Sequence, residues 1–228
     1  MSRDDDKRAA ALAAIGEVRD GMRVGLGTGS TAAFAIAELG RRCAAGLRIE
    51  ALATSHASTA LARAAGIPLL DEGSVGTLDI AIDGADEIDA SLRAIKGAGG
   101  AMLREKVVAA SAARMIAIVD GSKRVEHLGR AALPVEVLPF ALGFVTARIE
   151  ALGGVPLLRL IDGKAYTTDQ DNQVLDCRFG LLADPRVLAA GLSAVAGALG
   201  HGLFLDEIDV AYVADRGIVT RMERPAAA

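Results

Sequence analysis

Between residues 22 and 119, short apolar runs alternate with alanine-rich stretches of helical length, and few folds accommodate that alternation. The runs at 22–26, 47–53, 67–70, 78–82 and 115–119 are too short for helices and read as strands. The stretches at 28–43, 57–65 and 101–112 read as helices. So does the amino-terminal segment to about residue 19, where Asp4, Asp5 and Asp6 put negative charge at a helix start. Parallel strands need such crossovers, and the helices then cover the sheet. The expected architecture is α/β, a Rossmann-like open parallel sheet with helices on both faces.

The pattern changes after Arg130. A strand at 133–138 contains Pro134 and is followed by Pro139, which predicts an edge or short strand. A helix over 140–152 ends at Gly153-Gly154, and strands follow over 155–161 and 172–177. Asp184 and Pro185 supply the cap and first position of another helix, and a strand near Leu203 completes the order β-α-β-β-α-β. The predicted division is a Rossmann-like catalytic domain over 1–129 and a smaller α+β ferredoxin-like domain over 130–205. A hairpin at 210–214 and 218–221 returns residues 206–228 to the first domain. The tail at 225–228 is expected to fray.

Composition removes several classes of function. Aromatics make up 3 % of the 228 residues and Trp is absent, so base-stacking nucleic-acid modules have little to work with. The formal net charge of −4 also argues against a nucleic-acid partner, while leaving room for a local anion site. No apolar run approaches the roughly 20 residues needed to span a bilayer. Residues 1–7 are charged and do not read as a signal peptide. Cys43 and Cys177 are isolated, as expected of buried thiols in a reducing compartment, and a cytoplasmic location is expected.

Loops after four of the strands carry groups able to do chemistry. The first is Gly25-Leu26-Gly27-Thr28-Gly29-Ser30-Thr31, where glycines allow close backbone approach and hydroxyls stand beside a helix start, a ready anion site. A dinucleotide fingerprint would need Gly at 30, and a P-loop would need a G-K-[ST] ending, so neither is expected. The second follows 78–82 and holds Asp83, Gly84, Ala85, Asp86, Glu87 and Asp89, carboxylates that could grip hydroxyls, bind a metal or move protons. A solvated acidic loop is the plain alternative. The third is Lys96-Gly97-Ala98-Gly99-Gly100, leading into a helix where Glu105 shares an apolar side with Met102, Val108, Ala109 and Ala112. Partial desolvation there suits a general base. Arg104 and Lys106 point elsewhere, toward solvent. The fourth, Asp120-Gly121-Ser122-Lys123, offers a lysine within reach of an anion. His56, His127 and His201 are dispersed with no metal-binding spacing, so no metal and no cofactor are expected. Each signal has an ordinary structural explanation, but in a parallel sheet these loops gather at one edge.

In order and wording these motifs resemble type A ribose-5-phosphate isomerase, through GLGTGSTAA, DGADEID, IKGAGGAMLREK, DGSKRV and LPVEVLPF, over nearly the whole chain. The resemblance implies interconversion of ribose 5-phosphate and ribulose 5-phosphate without a metal. It implies that Glu105 is the proton acceptor and that Lys96, with the backbone of Gly97, Ala98 and Gly99, binds substrate and offsets oxyanion charge. Asp83 and Asp86, beside Gly84 and Ala85, would hold sugar hydroxyls, with Asp83 assisting ring opening. Thr28, Gly29, Ser30, Thr31 and Lys123 would complete the contacts. A homodimer is also implied. Lys7 matches a family lysine, although a helix-surface charge is an adequate account of it, and His56 departs from the usual pattern. Two rivals remain: a sugar-phosphate sensor, which needs no base, and a coenzyme A transferase relative, in which Glu105 would be a nucleophile.

Overall fold

The computed structural model describes residues 2–74 and 76–224, so the expectation for 225–228 lies outside the described residues. Along the chain run α1 (Arg3–Ile15), β1 (Arg23–Leu26), α2 (Ser30–Ala44), β2 (Glu50–Ala53), α3 (His56–Ala64), β3 (Ile80–Gly84), β4 (Glu87–Ile88), β5 (Ala94–Ile95), α4 (Met102–Ser111) and β6 (Met115–Asp120). They are followed by β7 (Leu133–Val137), α5 (Leu142–Ala151), β8 (Val155–Leu158), β9 (Leu160–Ile161), β10 (Lys164–Ala165), β11 (Gln173–Arg178), α6 (Pro185–Ser193), β12 (Ala198–His201), β13 (Leu203–Phe204), β14 (Val210–Asp215) and β15 (Ile218–Glu223). The chain packs as two units. One comprises the described parts of Met1–Ala85, Arg104–Arg124 and Asp206–Ala228; the other comprises Asp86–Leu103 and Val125–Leu205.

In the first unit a sheet has the order β15-β14-β6-β3-β1-β2, parallel throughout except for β15. Val24, Leu26, Ile80, Ile82, Ile116 and Ile118 face one side and join Ala10, Ala14, Ile36 and Leu39 of α1 and α2 in a single core. Gly25 and Ala81 face the other side, where a Cβ on Gly25 would strike Val108 of α4. Small residues on that face let α4 approach the sheet closely, so helices cover both faces. The chain runs from β1 outward to β2, then returns to β3 on the opposite side of β1. That reversal is a topological switch point, where open α/β sheets bind ligands beyond the carboxyl ends of their strands. β1 leads into the glycine loop, and Asp83 lies near the carboxyl end of β3.

Ser2 and Asp5 form a capping box at the start of α1. Asp6, 8 % exposed, accepts the Arg216 and Gly217 N–H groups at 3.1 and 2.8 Å and so fastens the β14–β15 turn. The predicted strand at 67–70 reduces to a bridge between Leu69 and Ala51. Ala51 donates its N–H to the Pro68 carbonyl and its own carbonyl accepts the Leu70 N–H, and a 3-10 turn at Glu72–Ser74 follows in place of a longer ladder.

The second unit holds an antiparallel sheet of order β12-β7-β11-β8. Leu133, Val135, Val137, Leu175 and Cys177 face a core completed by Val145, Ile149 and Leu192 from α5 and α6. Burial pushes the Cys177 thiol up to about 12, with Asp176 adding to the shift, so it is an inert core residue. This β-α-β-β-α-β arrangement matches the sequence expectation in outline but corrects three details. β7 lies between β12 and β11 rather than at an edge. The Pro134 carbonyl accepts the Gly202 N–H at 2.8 Å, so its nitrogen faces that same side, beyond the last β12 pair at His201 and Val135. No ladder bond is therefore lost. The fourth strand is β12, while β13 near Leu203 belongs to a separate sheet of order β13-β5-β4. The strand expected over 155–161 breaks at Arg159 into β8 and β9, and β9 turns back on β10. Residues Asp86–Leu103, expected with the first domain, belong to the second unit, since Ile95 lies in its core and β5 pairs with β13.

Candidate active site

In the first unit the site grows from the β1–α2 turn. Gly29, with φ of 107°, is the N-cap of α2 and contributes no side-chain cap, so the first-turn N–H groups keep their positive potential for an anion. Ser30 is exposed and Thr31 half-buried at that helix start. Thr28 is used differently. Its hydroxyl donates to Ser55 at 2.8 Å and lies 2.8 Å from that of Thr54. Ser55 donates to Ser58 at 3.0 Å, and Ser58 to the Gly27 carbonyl at 2.7 Å. This hydroxyl circuit pins the glycine loop from beneath. Sequence reasoning missed Thr54, Ser55 and Ser58; the signal available was Ser55, the N-cap of α3. His56, one residue on, is exposed.

Asp83, next to last in β3, is 3 % exposed and accepts the Thr28 and Gly84 N–H groups at 3.0 and 2.7 Å. A Cβ at position 27 would fall on the Asp83 carboxylate, so the glycine there is set by close approach. The two loops therefore form one construction around the switch point. Glu105 lies in the first turn of α4 at 4 % exposure, beside Met102, Val108 and Ala109, all buried, and half-buried Ala112. Its expected apolar surroundings are present. Arg104 and Lys106, expected in solvent, instead pair with Glu72 and Glu207, each at 3.0 Å, because both are only partly exposed and have acidic neighbours. Lys123 is half-buried in a short turn after β6, capped where Asp120 accepts the Ser122 N–H at 3.0 Å. Lys7 pairs with Asp4 at 3.0 Å on α1.

In the second unit, Asp86 accepts the Ala98 N–H at 2.9 Å, tying the acidic loop to the lysine–glycine loop. Lys96 is 2 % exposed, with its amine 5.3 Å from the Phe204 ring centroid and its own N–H on the Gly202 carbonyl at 2.9 Å. Gly97 is buried with φ of 107°, and Ala98 and Gly99 are exposed. The other acidic residues of the second motif have structural work. Glu87 receives the Gly129 and Ala131 N–H groups at 2.8 and 2.5 Å, and Asp89 pairs with Arg93 at 2.6 Å. His201 is 8 % exposed and bonded to Ser193 at 3.1 Å, and His127 is exposed. Among the described residues no three His, Cys, Asp or Glu side chains are grouped to hold a metal ion, and no helix is long and apolar enough to cross a membrane.

Comparison with known proteins agrees with this assembly of motifs. Residues 50–217 match the family described as ribose 5-phosphate isomerase A (phosphoriboisomerase A). A ribose-5-phosphate isomerase A of Sphingopyxis alaskensis is 50 % identical over 209 residues, covering 92 % of each chain. A D-ribose-5-phosphate isomerase solved in complex with phospho-erythronic acid superposes with a TM-score of 0.94 at 33 % identity, covering 98 % of this chain and 100 % of that one. The ribose 5-phosphate isomerase A of Methanocaldococcus jannaschii gives 0.92 at 36 % identity, over 97 % of this chain and 100 % of that one. With its switch-point loops, its buried Glu105 and Lys96, and these relatives, the chain belongs to the ribose 5-phosphate isomerase A family.

Proposed function

We propose that the chain interconverts D-ribose 5-phosphate and D-ribulose 5-phosphate by metal-free proton transfer through an enediolate, a step of the non-oxidative pentose phosphate pathway. The observation that carries the reading is Glu105, a carboxylate 4 % exposed among apolar neighbours in a chain of this family. Glu105 removes the C2 proton of the open-chain aldose. The electron pair enters the C1–C2 bond, and the aldehyde oxygen becomes the enediolate oxyanion. A proton then passes between the two oxygens, and Glu105 returns its own proton to C1. Lys96 offsets the oxyanion charge, with the backbone of Gly97, Ala98 and Gly99 beside it. Asp83 and Asp86, with Gly84 and Ala85, hold sugar hydroxyls, and Asp83 assists ring opening.

The phosphate rests on the α2 start, through Gly29, Ser30 and Thr31, with Lys123 as a further cation. Thr28 contributes its backbone position, since its hydroxyl is engaged with Thr54 and Ser55. The acid bound by the relative is itself a phosphorylated sugar acid, which supports a sugar phosphate as ligand. Proton transfer of this type needs a base and fixed positive charge, roles that Glu105 and Lys96 supply without a Lewis acid. Assay of ribose 5-phosphate conversion with excess chelator tests the reading: we expect unchanged turnover, and inactivation restored by a divalent cation would overturn the metal-free step.

A homodimer goes with this proposal. β8 is an edge strand, and Val155, Leu157, Leu160 and Ile161 are all more than half exposed, an apolar stretch suited to a second copy. Light scattering should give twice the chain mass of 23.3 kDa, whereas the monomer mass would refute this. A cytoplasmic location is part of the same reading, supported by the free thiols Cys43 and Cys177.

A further inference from the structure

The loop that carries Lys96 contains Gly97 and Gly100, with φ of 107° and 78°, and glycines of this kind leave a backbone free to move. Charge stabilisation needs donors held within about 0.5 Å of their productive positions. The loop must therefore be held by something else, and other segments of its own unit supply it. Arg159 stands at the break between β8 and β9, its side chain 13 % exposed. Its Nε and Nη2 grip the two carboxylate oxygens of Asp176 at 2.8 and 2.5 Å, a bidentate fork that fixes the plane of the guanidinium. The remaining Nη1 donates to the carbonyls of Gly97 and Ala98, both at 3.1 Å.

Neighbouring groups reinforce the hold. The Tyr166 ring lies 5.6 Å from the Arg159 guanidinium carbon, and its hydroxyl donates to the Gly99 carbonyl at 3.4 Å. A Cβ at position 100 would collide with that ring, so Tyr166 packs directly on the loop. The segment bearing Tyr166 is itself anchored. Thr168 and Asn172 donate to Glu136 at 2.8 and 3.0 Å, and Glu136 is fully buried. The register of β7 and β11 puts Pro134, Glu136, Val174 and Asp176 on one face, opposite the core residues.

We propose that Arg159, locked by Asp176, is a positioning residue for the isomerase reaction. A peptide unit is planar and its carbonyl and N–H point in opposite directions. Holding the Gly97 carbonyl therefore fixes the Ala98 N–H, which lies on Asp86, and holding the Ala98 carbonyl fixes the direction of the Gly99 N–H. Arg159 touches no substrate; it sets the geometry of the loop that does. The inference rests on the reading of Lys96 and its loop as substrate-binding.

Three variants test it: Arg159→Ala, Arg159→Lys and Lys96→Met. Arg159→Ala is expected to lower kcat by about 10²-fold with a smaller change in KM, the order of loss from displacing a catalytic group by about 1 Å. Guanidinium chloride at low millimolar concentration is expected to restore part of that kcat, while sodium chloride at equal ionic strength does not. A general loss of stability would give no such rescue, and melting temperatures measured in parallel make the comparison direct. Arg159→Lys keeps the charge but not the fork, and a reduced kcat at unchanged melting temperature is expected. It carries the test should Arg159→Ala fail to fold. Wild-type kcat in folded Arg159→Lys, or a loss in Arg159→Ala that guanidinium leaves untouched, overturns the proposal. Full activity in Lys96→Met would instead strike the reading on which the proposal rests.

Discussion

Glu105→Gln is expected to lower kcat by about 10³-fold, within the range attributed to a positioned general base. Glutamine keeps the volume and hydrogen-bonding capacity of a side chain that is 4 % exposed beside Met102, Val108 and Ala109, so the first turn of α4 should survive the change. What disappears is the carboxylate proposed to accept the C2 proton. Two measurements separate this from a structural effect. Binding of a phosphorylated sugar acid should stay near the wild-type affinity, since the phosphate contacts proposed at Gly29, Ser30 and Thr31 are unaltered. Exchange of the C2 proton with solvent should fall in step with kcat, because that step is the one removed. Turnover within about tenfold of wild type would assign the base elsewhere.

Lys96→Met should cost about 10²–10³ in kcat, the range seen when one oxyanion donor is removed. Methionine suits the site because Lys96 is 2 % exposed and its amine lies 5.3 Å from the Phe204 ring, where a thioether also packs well. Stability should therefore change little, and the comparison isolates the charge. If Lys96 acts chiefly on the enediolate, kcat falls while KM moves little, the signature of an interaction made in the transition state. A phosphorylated acid that resembles the enediolate should lose affinity by nearly the factor by which kcat/KM falls. A rise in KM with kcat unchanged would make Lys96 a ground-state contact and leave the oxyanion to the loop amides.

These predictions concern residues that the sequence already singled out, and the reason lies in how each is used. The glycine loop, Asp83, Lys96 and Glu105 occur in unbroken local motifs, and a motif carries its meaning wherever the chain places it. The apolar surroundings of Glu105 could be read from helical spacing, because Met102, Val108 and Ala109 define its face within a few residues, whereas its role as a base came from the family resemblance. The parallel sheet was legible for a similar reason: alternating apolar runs and helices admit few other layers.

What supports those residues was not legible. Arg159 acts on carbonyls 62 and 61 positions away, and a bond to a carbonyl can be accepted by any residue type, so it leaves no trace in composition or spacing. Thr54 and Ser58 matter only because folding brings them under Thr28 and Gly27. Pro134 pointed to an edge strand because proline lacks an N–H, yet the sheet ends its ladder at the place where that N–H would have been. Residues 86–103 looked like part of the first domain because they follow its motifs directly, whereas Ile95 found its apolar partners in the second. By itself the sequence determined the layer architecture and singled out the loops and residues proposed to bear the chemistry, all properties of local pattern. The tertiary structure alone decided which strands are neighbours, where each segment packs and what holds the reactive loops in place, because hydrogen bonds and apolar contacts between distant segments are settled only by the closed geometry of the fold.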